Sequence, residues 1–425
     1  MLHKRFLFVS LLAPSFSFAS TATDSLSGVT RDVFDNLDEN PAFVNVEGGK
    51  SFLRIGKQAG AQLITNAGGF GLGVQVNSSS ELSVVSGTFS SKDAPAAFAG
   101  ASSAILEKTA ETISATAMPL ALTMGGVSGD IKWGLRLGYQ SAKRDSEVDS
   151  FTRDADDKVI ATYTAFDPTY VATSLRAGMI MGELEAALAW GKGDWKLATS
   201  RASHDGNVAT ADKTTSYMED GVSAQSTTGY ELVTRYQAKG AQWFLTYGQQ
   251  KSDLKLWDLN DAKNGGSTYD AKDAKKLMDI TAGGERSDSL TEGVKLLSKS
   301  WFSYSKLTAN DSTEMNILTD MNLSTAHGIE VAAASWATLR AGVQASLWGS
   351  KKLEATTYET AGQKGKSETN TTSSANMLRG IASPTMGVGF KFGNYIVDAT
   401  LAQDGTGSMG FSDKILGKVE VTAQF

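Results

Sequence analysis

The sequence predicts an all-β, membrane-spanning fold: a transmembrane antiparallel up-and-down β-barrel of about sixteen to eighteen strands, with about fourteen as the lower bound. Three observations carry this expectation. Apolar and polar residues alternate with period two through most of the chain, and short and long connections take turns between the alternating runs. No uninterrupted apolar stretch of about 18 residues follows the amino-terminal region, which excludes a bundle of membrane helices.

The amino end has the layout of a secretory signal peptide over residues 1–19. His3, Lys4 and Arg5 are basic, Phe6 to Leu12 is apolar, and Ser17-Phe18-Ala19 is a small-x-small cleavage site. With no cysteine among the 425 residues, a lipid-modified amino terminus, disulfides and thiolate metal sites are excluded together. Cleavage removes Lys4 and Arg5 from 40 basic residues and nothing from 46 acidic ones; 38 minus 46 leaves a mature charge of about -8. That balance gives no electrostatic footprint for nucleic acid. Forty-three glycines, six prolines and a mean hydropathy of -0.19 suit strands that are oily on one side only. No linker-like shift in composition divides the chain, so residues 51–425 read as one barrel domain preceded by a periplasmic or plug-like segment, residues 20–50.

The strands follow in order. Ser51 to Gly56 is the first pairing candidate, and Gly69 to Asn77 sets Phe70, Leu72, Val74 and Val76 against three polar or glycine positions and Gln75. Ile131 to Gln140 is the clearest alternation, with Trp133, Leu135, Leu137 and Tyr139 opposed to Lys132, Gly134, Arg136 and Gly138. Val171 to Met181 and, after a two-residue break, Leu184 to Trp190 continue it, and the parity of the layout asks for a further strand at Lys158 to Phe166. Tyr230 to Gln237 and Trp243 to Tyr247 flank a tight Lys239-Gly240 turn; runs around 315–323, 329–333, 337–347, 386–392 and 395–401 follow. Between them, 77–80, 127–130, 238–240 and 393–394 read as short turns; 90–116, 142–157, 204–226, 251–298 and 350–383 read as long polar loops. Ser103 to Ala115 and Asp270 to Ile280 have helical spacing within those loops. A soluble sandwich also alternates, but its connections are of similar size at both ends.

The last eleven residues, Ile415 to Phe425, form an alternating strand that stops on an aromatic. In this the chain resembles bacterial outer-membrane β-barrels, whose closing strand commonly ends in Phe. The resemblance implies a Gram-negative outer-membrane location, contact with the barrel-assembly machinery through that strand, and a porin-like habit of forming a homo-trimer. Asn40-Pro41-Ala42 is similar to a motif of the long-chain fatty-acid transporter family of outer-membrane barrels, while an Asn-Pro turn explains the same residues locally.

Catalytic machinery is not legible. Gly69-Phe70-Gly71-Leu72-Gly73 lacks the context of a nucleotide fingerprint, and only His204 and His327 remain after cleavage, too few for a histidine metal site. The wet faces are more informative. They carry Gln75, Lys132, Arg136, Arg176, Glu183, Glu185, Glu231, Arg235, Arg340, Gln344, Lys391, Asp398 and Glu420, which become candidate pore-lining residues, with Phe425 as the barrel-closing terminus. Charges at membrane depth are costly unless they face water or one another, so the set implies a hydrated lumen. Trp133, Tyr139, Trp190, Tyr230, Trp243, Tyr247 and Tyr395 fall on apolar faces as an interfacial girdle, whereas Trp336 and Trp348 fall on the wet parity and are expected at strand ends. The expected function is a passive channel for small hydrophilic solutes, with outer-membrane lipid and solutes as partners, no cofactor and no enzymatic step. The alternatives are a fatty-acid-transporter-like barrel for hydrophobic compounds with the Asn40 segment as plug, and a surface barrel that binds another cell or phage through its long loops.

Overall fold

The computed structural model describes residues 33–45, 50–56, 60–67, 69–76, 120–143, 146–153, 159–205, 215–257, 268–310, 314–358, 368–377, 382–401 and 416–425. The signal peptide and the 103–115 helix expected from the sequence lie outside these residues. Within them one short helix, α1 (Val33–Glu39), and a 3-10 turn (Pro41–Val44) precede eighteen hydrogen-bonded strand segments. These are β1 (Phe52–Gly56), β2 (Gly60–Ala67), β3 (Phe70–Val76), β4 (Leu120–Ser128), β5 (Ile131–Lys143), β6 (Ser146–Arg153), β7 (Val159–Met181), β8 (Leu184–Asp205) and β9 (Thr215–Ala238). The second half supplies β10 (Ala241–Trp257), β11 (Thr268–Thr291), β12 (Val294–Asn310), β13 (Glu314–Ala334), β14 (Ala337–Tyr358), β15 (Glu368–Met377), β16 (Ala382–Phe392), β17 (Tyr395–Leu401) and β18 (Leu416–Gln424).

Eighteen segments make sixteen wall strands. β5 and β6 both lie antiparallel to β7, one on each half of it, and β15 and β16 share β14 in the same way. Lys143 faces Thr169 and Ser146 faces Phe166 in one unshifted register, so β5 and β6 are successive stretches of a single wall strand. The strand expected at Lys158 to Phe166 is therefore not separate; it is the outer half of β7, and the count settles at sixteen. Every neighbouring pair is antiparallel, and β1 pairs with both β2 and β18, so the sheet closes on itself.

Two-residue turns join β7 to β8, β9 to β10, β11 to β12 and β16 to β17 at one end of the barrel. Lys239 and Gly240 both have positive φ, 49° and 78°, as a tight hairpin that follows the strands' right-handed twist requires.

Burial is inverted relative to a soluble core. Along β3, Phe70, Leu72, Val74 and Val76 are exposed while Gly71, Gly73 and Gln75 are buried. The same exposed apolar face continues through Leu122, Leu137, Leu188, Leu232 and Leu245, with Tyr139, Trp190, Tyr230, Trp243 and Tyr395 on it. Arg54, Gln62, Gln75 and Arg136 are among the buried side chains. A closed antiparallel ladder with an apolar outside leaves lipid no unpaired backbone group to meet. This is the construction of a bacterial outer-membrane β-barrel.

Several expected loops are strand. The 142–157, 204–226, 251–298 and 350–383 stretches are largely occupied by β5 to β7, β8 with β9, β10 to β12, and β14 to β16, and Asp270 to Ile280, expected as helix, lies in the β11 ladder between β10 and β12. A tilted strand needs about 9–11 residues to cross a bilayer. At 21 to 24 residues, β7, β8, β9, β11, β13 and β14 run well beyond that length. Outside the membrane both faces of a strand meet water, so selection for alternation lapses there while the ladder persists. Trp336 lies in a two-residue turn and stacks on Phe390 at 6.0 Å. Trp348 is not at a strand end: it sits inside β14 beside a register shift, where an extra residue switches the parity.

Candidate functional site in the lumen

The inward faces converge on residues 33–45. Asn40 caps the 3-10 turn, its side chain accepting from the Ala42 N–H at 3.0 Å, with Pro41 at the first position where no donor is missed. Phe34, Leu37 and Val44 pack with Ile64 of β2 in a small apolar cluster, all four nearly inaccessible. The segment approaches the wall closely because the wall is glycine there. A Cβ at Gly134 would overlap the Pro41 carbonyl, one at Gly178 the Asn40 side chain, and one at Gly71 the Val44 carbonyl. Asn40 Nδ2 then donates to the Met179 carbonyl at 3.1 Å and Asn45 Nδ2 to that of Trp133 at 2.8 Å.

Charge fixes the remaining contacts. α1 ends in Asp38 and Glu39 with no base in its last turn, an arrangement the helix dipole disfavours unless cations are supplied from elsewhere. The wall supplies them. Arg136 Nη1 lies 2.8 Å from Asp38 Oδ1, which also accepts from Gln75 Nε2 at 2.8 Å. Arg235 pairs with Glu39, and Arg176 donates to the Glu39 carbonyl at 2.9 Å while holding Glu231 at 2.5 Å. Arg54 reaches Asp35 at 3.6 Å, donates to Gln62 at 2.8 Å and stacks over the Phe34 ring at 4.6 Å.

A second network lines the opposite wall. Arg340 pairs with Asp398 and, at 2.9 Å, with Glu330; Lys295 approaches Glu330 at 4.0 Å. Between the two, Glu285 lies 3.5 Å from Arg235 and 3.9 Å from Lys299, whose ammonium sits over the Phe244 and Trp301 rings.

Of the residues singled out from sequence, Gln75, Arg136, Arg176, Glu231 and Arg235 gather around residues 33–45, and Glu185, which accepts from Gln242 at 3.1 Å, lines a hollow there with Glu39, Asn40 and Arg235. Arg340 and Asp398 meet across the far wall. Glu420 is buried beneath Gly56 beside the closing seam, and Lys132 and Gln344 share the inward register of Arg136 and Ala326. Lys391 is exposed two residues from its turn. Glu183 does not line the lumen: it belongs to the two-residue turn after β7, where strand parity no longer applies. Phe425 pairs with Ser51 through two backbone hydrogen bonds, 2.8 and 3.0 Å, extending the seam. Sequence reasoning did not find Arg54, Asp35, Asp38, Glu39, Glu285, Lys299 or Glu330; the unbalanced acidic end of α1 was the available signal. Among the described residues no group of three or more histidine or carboxylate side chains is placed to hold a metal ion.

No protein-family model and no curated sequence matches the chain. Solved structures match in outline. CdiB from Escherichia coli shares 10% identity at a TM-score of 0.36, over 88% of this chain, which spans 62% of CdiB's length. The monoaromatic hydrocarbon channel CymD shares 9% at 0.34, covering 95% of this chain and 97% of its own. The toluene transporter TbuX of Ralstonia pickettii shares 10% at 0.33, covering 96% and 97%. Likenesses this loose carry neither substrate nor mechanism to this chain.

Proposed function

We propose that the protein is an outer-membrane channel for small hydrophilic solutes, narrowed by a plug made of residues 33–45. The supporting observation is the lumen itself, where the plug is held to one side of a charged wall by Arg54, Arg136, Arg176 and Arg235. The network of Arg340, Glu330 and Asp398 lines the other side. A sixteen-strand barrel is wide enough for an aqueous path, and opposed charges across it would set a transverse field that sorts solutes by charge and size. Stepwise conductance of the purified, heat-modifiable barrel in planar bilayers tests this reading; an inserted barrel that stays silent, plug removed or not, contradicts it.

A second reading is favoured by one observation, the seating of Asn40, Pro41 and Ala42 against wall glycines. A barrel for hydrophobic compounds, as the fatty-acid-transporter resemblance implies, would use such a plug as its inner floor. It would be electrically tight and would speed cellular uptake of hydrophobic compounds.

A further inference from the structure

The outward face of β11, β12 and β13 carries a polar island in an otherwise apolar surface. Arg286 pairs with Asp288 at 2.7 Å, with the two side chains 62% and 42% exposed. Beside them Ser298 lies 3.1 Å from His327 Nδ1, His327 Nε2 lies 3.2 Å from Thr325, and Thr325 lies 3.1 Å from Ser300. The register places Arg286 against Ser298 and Ser298 against His327, so these side chains form one continuous row across three strands. Their inward neighbours Leu297 and Ala326 are buried, which fixes the row on the outside. Exposed apolar residues flank it along the strands: Ile329 and Leu339 toward the short turns, Phe302 and Leu323 on the other side.

Ionisable and hydrogen-bonding groups on a lipid face are disfavoured unless protein covers them, and in membranes such groups join one chain to another. We propose that this face is a two-fold interface between copies of the barrel. The occupant follows from the charges. The island holds a cation, an anion and hydroxyls able both to donate and to accept, so a copy related by a two-fold axis meets Arg286 with Asp288 and each hydroxyl with a counterpart. A three-fold ring would need a second, complementary patch elsewhere on the wall, so this geometry favours a dimer over the trimer implied by the porin-like resemblance.

The experiment is cysteine-free amine cross-linking and native mass spectrometry of the whole protein from outer-membrane vesicles. Wild type is expected as a dimer. R286L/D288L/H327L makes the outer face more apolar, so the barrel should still fold, as its heat-dependent gel shift reports, yet run as a monomer. R286D and D288R should each be monomeric alone, while co-expression of the two chains restores a mixed dimer, an outcome that intrachain pairing cannot give. A monomeric wild type, a dimeric triple variant, or a monomer carrying tightly bound anionic lipid released by R286L overturns the proposal.

Discussion

Arg136 and Asp38 meet at 2.8 Å inside the barrel, with side chains only 4% and 7% exposed. One belongs to the wall and the other to the end of α1, and Arg136 Nη1 also approaches the Leu37 carbonyl at 3.3 Å. Burial alone disfavours the guanidinium; the carboxylate is what makes its position tolerable. The pair therefore couples the seating of the amino-terminal segment to the barrel that surrounds it.

Removing one member of a buried pair costs on the order of 3 kcal/mol, because the other charge is left behind. D38A is expected to unseat residues 33–45 without opening the barrel. Hydrogen exchange should then lose protection in α1 and keep it in β4 and β5. Loss of protection across both strands would mean that the pair serves the wall instead.

Steric eviction should reach the same state by another route. A Cβ at Gly134 overlaps Pro41, so G134V displaces the segment while leaving the β4 and β7 ladders able to form. Gly248 of β10 is an inward glycine clear of the segment, where a Cβ meets only Asp279 at 3.9 Å, and G248A is the control. Single-channel conductance should rise several-fold in G134V and stay unchanged in G248A; equal values for both variants would contradict the expectation.

Ion selectivity should answer to the far wall. R340Q leaves Glu330 and Asp398 without their shared cation. An uncompensated charge acts at about 1 kcal/mol over a few ångströms of water, a factor of about five in permeability ratio. The reversal potential in a salt gradient should move toward cation selectivity by up to that factor. No movement would place the ion path elsewhere.

The closing seam is short. β1 meets β18 over five register pairs, from Phe52 with Gln424 to Gly56 with Glu420. V421P removes a ladder donor opposite Ile55 within that seam. The variant should fail to give the heat-modifiable band of a closed barrel, whereas V421I should retain it.

Much of this molecule was legible in the sequence because lipid imposes a simple rule. Where strands cross the membrane, one face must be apolar, so Phe70 to Val76 and Ile131 to Tyr139 announced themselves, and the turns at Gly182-Glu183 and Lys239-Gly240 stood between matched runs. The same rule explains the failures. The portions of β8, β9, β11 and β14 far from the short turns continue the ladders past the length a bilayer needs, and their Ser, Thr, Lys and Asp read as loop. The lumen was legible as a set of wall charges, but not as a set of pairs. Asp35, Asp38 and Glu39 find their cations at Arg54, Arg136 and Arg235, as many as 196 positions away, and no local pattern encodes such distances.

The proposed narrowing of an aqueous path by residues 33–45 is open to direct test. Its most direct measurement is single-channel conductance of the full-length protein beside a variant lacking those residues, both shown by gel shift to be closed barrels. Stepwise openings are expected, with an amplitude that rises several-fold on deletion. A deleted barrel that inserts and remains electrically silent would contradict it.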